Sequence, residues 1–111
     1  LGVLGAKLDK VNSVAGNNFG QVAYYQDSRN WKKALEVMED QPVPFLWWWH
    51  HYMGTSNHFL GNKDKAQNHF NKIAEILGDN TLEKMKKGMI IWHEMTVYEE
   101  MMPVYLEYGL K

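Results

Sequence analysis

Five histidines, at positions 50, 51, 58, 69 and 93, are the residues of this chain best suited to acid–base work or metal ligation. No two of them stand three or four apart, the spacing that lets two imidazoles on one helix share a metal. His51 and His58 share a helical face, but seven residues is about 10.5 Å along the axis, too long for easy joint ligation. The segment "WHEMTV" opens like the zinc-protease pattern H-E-x-x-H, yet Val97 stands where the second histidine belongs. Cysteine is absent, which removes a thiolate nucleophile, disulfides and iron–sulfur ligation. There is no G-x-S-x-G, phosphate loop or dinucleotide fingerprint, and Ser13, Ser28 and Ser56 have no evident base partner in the sequence. The expectation is a non-enzyme with no cofactor and no metal. The alternative is a small helical enzyme or metal-binding subunit using His51 and His58.

The 111 residues suit one domain spanning 1–111, and 45 % hydrophobic content supplies a core. Twelve Lys and Arg against thirteen Asp and Glu leave a net charge of −1, so no global field draws in nucleic acid. The longest apolar run, "VPFLWWW", is too short to span a bilayer. The cysteine-free composition leans towards an intracellular, cytoplasmic protein, and the start on Leu1 reads as a fragment or processed chain, part of a larger chain or assembly. "KMKKGMIIW" places three lysines beside an apolar run, which makes peripheral membrane contact a secondary reading. Glu94, Glu99, Glu100 and Glu107 follow and oppose it.

Apolar residues recur at helical spacing and sustained period-two alternation is missing, so the fold class is all-α. Helices are expected over about 3–14, 18–26, 31–40, 45–60, 64–77 and 81–102. Pro42 and Pro44 break the third, Gly78 caps the fifth, and Pro103 ends the last before one or two further turns. "NWKKA" at 30–34 returns as "NKDKA" at 62–66, each opening a helix after a turn. A period of thirty-two residues suggests stacked antiparallel helical hairpins.

Residues 47–80 resemble a tetratricopeptide repeat. Gly54 falls on the small position of the first helix, Gly61 on the turn glycine, Ala66 on the small residue of the second helix and Phe70 on its aromatic. His50, Asn57 and Gly78 depart from the family pattern, and residues 15–46 match less fully, through Tyr25, Trp31 and Ala34. Gly88, thirty-four residues after Gly54, suggests a third first helix, but no turn signal follows, so region 81–111 is expected to hold a capping helix.

The resemblance implies a short repeat array acting as a protein-interaction scaffold. Its layout turns His50, Met53, Gly54 and Asn57 towards the partner helix, and Trp49 and Leu60 towards the preceding repeat. It places Trp48, His51, Thr55, His58 and Phe59 on a concave surface, extended by Met85, Lys86, Met89 and Trp92. Aromatics and methionines there suit an apolar or amphipathic peptide. The family's carboxylate clamp is not expected, because its positions hold Phe19, Ala23, Tyr52 and Leu82, with Lys86 alone basic. The competing expectation is that residues 103–110 cover this stripe as core.

Overall fold

The computed structural model describes residues 20–111, so the helix expected over 3–14 lies outside the described residues. The fold is all-α, with no strand among the described residues. Six helices follow in order among the described residues: α1 over 20–27, α2 Trp31–Asp40, α3 Trp47–Phe59, α4 Lys63–Leu77, α5 Thr81–Ile91 and α6 Met95–Glu107.

Local chemistry sets most of these boundaries. At the start of α2 the Asn30 side chain accepts the Lys33 amide at 3.3 Å, satisfying one of the donors that a helix N-terminus leaves unpaired. Ala34 and Met38, four apart, lie on one buried face of α2. Pro42 and Pro44 then hold the chain out of helix until Trp47. In α4 the buried stripe is Ala66, Phe70 and Ile73, and Gly78, at φ 72°, closes the end with its amide on the Ala74 carbonyl.

Between α3 and α4 the contact is small against large. An ideal Cβ on Gly54 would stand 3.0 Å from both Cε2 and Cζ of Phe70, so the missing side chain is what admits the ring. Gly54 and Phe70 lie symmetrically about the turn at Asn62, as antiparallel helices require. Gly88 of α5 plays a similar part towards Trp47, whose Cζ2 would be 2.7 Å from an added Cβ.

Residues 81–102 do not form the single helix expected from sequence. The chain breaks at Trp92–Glu94, and Pro103 sits exposed inside α6. At the break His93 takes a left-handed φ of 58°, with its amide on the Ile90 carbonyl and the Glu94 amide on that of Met89. This is the Schellman closure. A non-glycine residue there costs roughly 1–2 kcal/mol. Burying the side chains of α6 returns more, since Tyr98, Met101, Val104 and Tyr105 are all buried and each large apolar side chain contributes about 1.5–3 kcal/mol. Pro103 is tolerated because the Glu99 carbonyl it leaves unpaired belongs to an exposed residue facing water.

The same hydrogen-bond pattern ends α1 at Arg29 (φ 61°) and α3 at Gly61 (φ 83°). Asn30 donates to Tyr25 and Arg29 to Gln26. Asn62 donates to Asn57 and Gly61 to His58. Positions 29, 61 and 93 are thirty-two residues apart, so a third helix–turn–helix unit follows the two read from sequence.

Two apolar clusters result. One joins Val22, Ala34 and Met38 to Trp49, Tyr52 and Met53 of α3. The other joins Ala66, Phe70 and Ile73 to Met85, Met89 and the buried face of α6.

Candidate binding site

Helix α3 is packed on every side: Trp49 through Asn57, nine consecutive residues, are buried. Its polar side chains therefore need partners from different elements. Gln26 of α1 donates to Thr55 Oγ1 at 2.8 Å and to Ser56 Oγ at 3.1 Å. Trp49 Nε1 donates to the Met38 carbonyl at 2.9 Å. Asn57 donates to the Met53 carbonyl and accepts from Asn62. Leu60, expected to meet the preceding unit, is 39 % exposed at the helix end.

His50 faces α4. Its Nδ1 stands 2.9 Å from Nδ1 of His69 and its Nε2 is 2.7 Å from the Pro44 carbonyl. Because Nε2 must donate to that carbonyl, the neutral His50 ring accepts at Nδ1 and His69 donates. Burial, then the neighbouring His50, push the His69 pKa down to about 4. The pair is nineteen residues apart in sequence, and nothing in their spacing signalled it.

On the other side of α3, His51 Nε2 meets Tyr105 Oη at 2.5 Å and His58 Nδ1 meets Tyr108 Oη at 2.8 Å. Helix α6 thus lies across the stripe that sequence reading assigned to a groove. His51, Thr55, Met85 and Met89 are 1 %, 0 %, 0 % and 4 % exposed, so these four side chains are core. The physical reason is that α6 offers Met85 and Met89 apolar and aromatic area and its Tyr105 hydroxyl engages one nitrogen of His51, while Gln26 of α1 closes off Thr55. Burial drives the His51 pKa down to about 3, keeping the ring neutral. His58 is lowered by burial and by Lys63, against the pull of Glu107.

The remaining stripe residues sit apart. Phe59 is stacked on Trp31, with ring centroids 4.2 Å apart and planes 14° from parallel, and Arg29 lies 5.8 Å above the Trp31 ring. These residues edge a shallow open depression with Glu100 and Met101 of α6. Lys86 is exposed on α5. Trp48 and Trp92 meet at a narrow cleft between the start of α3 and the α5–α6 break, with Trp47 and Tyr52 as further walls, His51 within and Glu94 beside them. Trp48 is half-buried and Trp92 is 49 % exposed.

Just before Trp92, Ile90 and Ile91 are 51 % and 73 % exposed, in the apolar run that the sequence reading took, with its lysines, as a secondary membrane contact and left out of the peptide-binding stripe.

Among the described residues no three His, Cys, Asp or Glu side chains converge as metal ligands would, and no helix is long and apolar enough to cross a membrane. No family model, curated protein or solved structure matches the chain.

Proposed function

We propose that this chain is a non-catalytic protein-interaction module built from helical hairpins of tetratricopeptide type. It docks an apolar or amphipathic segment of a partner protein on the surface formed by Ile90, Ile91 and Trp92 with the edge of Trp48. The observation that carries the reading is the exposure of Ile90, Ile91 and Trp92, at 51 %, 73 % and 49 %, at the end of one helix. Consecutive open apolar side chains of this size mark interaction surfaces more often than solvated ones. The tetratricopeptide element rests on the Gly54–Phe70 contact, on buried Ala66 and on closures thirty-two residues apart.

The docking surface differs from the groove expected from sequence: it keeps Trp48 and Trp92, loses His51, Thr55, Met85 and Met89 to the core, and leaves out His58, Phe59 and Lys86. Proximity-crosslinked partners captured by the wild-type chain should be titrated calorimetrically into wild type, Trp92→Ala and Ile91→Asp. Truncating a central aromatic anchor should weaken binding by at least about 2 kcal/mol, with circular dichroism unchanged because Trp92 and Ile91 lie outside the core. Folded variants that bind as tightly as wild type would remove this surface from consideration.

A further inference from the structure

The outward arc of α5 carries a charge opposite to that of the chain. The whole sequence has a net charge of −1. On α5, Glu83, Lys84, Lys86 and Lys87 are all exposed, three positive charges against one negative, which leaves +2 on this face. At 100° per residue Lys86 and Lys87 fall on the same side as Ile90 and Ile91, while Met85 and Met89 turn to the core. Lys86 precedes Ile90 by four residues, and Lys87 precedes Ile91 by four. Each lysine therefore starts about 5–6 Å, Cβ to Cβ, from an exposed isoleucine.

These lysines differ from others on the surface. Lys33, Lys63 and Lys72 pair with Glu36, Glu107 and Glu75 at 3.5, 3.2 and 3.0 Å, and Lys84 donates to the Leu77 carbonyl at 2.6 Å. Among the described residues no carboxylate pairs with Lys86 or Lys87. The arc thus joins open apolar area, which supplies binding, to unpaired positive charge, which selects the partner.

The charge also discriminates between occupants. A second copy presenting the same arc would bring the same positive excess, like against like. A bilayer surface would meet Glu83 as well, which lies between Lys86 and Lys87 in helical projection. A peptide can place its carboxylates beside the two lysines and leave Glu83 to water.

We propose that the partner segment seated on Ile90, Ile91 and Trp92 is an acidic amphipathic helix, with glutamate or aspartate three or four residues from its apolar anchors, so that its carboxylates meet Lys86 and Lys87. The inference rests on the docking reading above and adds the partner's charge to it.

Two stapled helical peptides test this, since short helices are marginal in water on their own. Both carry two leucines four residues apart. One places glutamate four residues from each leucine, and the other places lysine there. Each is titrated into the whole chain while the Trp92 indole and the amides of residues 83–92 are followed by nuclear magnetic resonance. The glutamate peptide should bind roughly tenfold tighter, two exposed ion pairs each contributing a factor of about three. The difference should narrow as salt is added. In the Lys86→Glu, Lys87→Glu double variant the preference should reverse, with circular dichroism unchanged because both lysines are exposed. Equal binding of the two peptides, with both lost in Ile91→Asp, keeps the docking surface and overturns the acidic partner. Binding of neither peptide overturns both readings. A response confined to vesicles of phosphatidylserine and phosphatidylcholine replaces the peptide with a membrane surface, and dimerisation of the free chain that Ile91→Asp abolishes replaces it with a second copy.

Discussion

Replacing Gly54 by alanine sets two effects of opposite sign against each other. In a helix interior alanine is better than glycine by about 1 kcal/mol, because it loses less backbone entropy. At this position, however, the added Cβ would stand 3.0 Å from two carbons of the Phe70 ring, and Phe70 is itself 0 % exposed. The ring is stacked on Tyr108 with centroids 4.8 Å apart, so it cannot swing aside without disturbing α6. Forcing an extra carbon into such a contact costs roughly 1–3 kcal/mol. The difference leaves Gly54→Ala destabilised by up to about 2 kcal/mol.

Urea unfolding followed by far-ultraviolet circular dichroism would measure the change. The Phe70→Leu background supplies the control: with the ring shortened, Gly54→Ala should become neutral or stabilising. A double-mutant cycle over the four proteins should therefore show a coupling of about 1 kcal/mol or more. If Gly54→Ala is stabilised by about 1 kcal/mol in the wild-type background, propensity alone operates. The close approach of α3 and α4 would then be refuted.

Tyr105→Phe removes the hydroxyl that engages His51 and should destabilise by about 1–3 kcal/mol, measured by the same unfolding curves, because a buried imidazole loses its partner. Acidification should also destabilise the protein: His51 has a folded pKa of about 3, below the unfolded value near 6.5, so the unfolded chain binds more protons between those limits. The His51 contribution is present above pH 6.5 and is lost by about 1.4 kcal/mol per pH unit as pH falls towards 3. His50 and His69 shift in the same direction. Urea midpoints at pH 7 and pH 5 would reveal it, and equal midpoints would contradict the burial of these rings as neutral groups. At the α5–α6 break, His93→Gly should stabilise by about 1 kcal/mol, since glycine adopts positive φ without penalty, while Gly61→Ala should destabilise by a similar amount. Thermal melts of both variants test this, and the opposite signs would show that these residues are not the closure points.

The legibility of the fold followed the range of the interactions responsible. Helix α2 was expected at 31–40 and is found there, because its start and end are written in adjacent residues, Asn30 and the prolines after Gln41. Gly54 and Phe70 were legible because a residue without a side chain and a large ring stand at equal distances from the turn at Asn62. The α5–α6 break was not, since His93 carries no local mark of a left-handed conformation and Pro103 offered a stronger false one. For the candidate site, Trp48 and Trp92 could be singled out from their types, whereas the covering of His51, Met85 and Met89 stood as a competing expectation, assigned to residues 103–110, that the sequence could not decide. The partner of His51 is Tyr105, fifty-four residues further on, and a helical stripe reads the same whether its partner is a ligand or another helix of the same chain.

Because α3 supplies Trp49, Tyr52 and Met53 to one apolar cluster and packs Trp47 against the other, the molecule is not a row of independent hairpins. In a linear array each unit touches only its neighbours, and unfolding can begin at an end and stop at the next boundary. Here α1 is tied to α3 through Gln26, and α6 is tied to the same helix through Tyr105 and Tyr108. Detaching either end exposes part of the nine-residue buried run of α3, and the helix then loses support on that side. The amides of α3 should accordingly exchange with solvent only through opening of the whole domain, whereas those of α2 and of the α5 terminus exchange through smaller openings. A chain cut to its middle hairpin would keep the Gly54–Phe70 contact yet lack both flanking covers over the buried run of α3, so that hairpin should not fold alone.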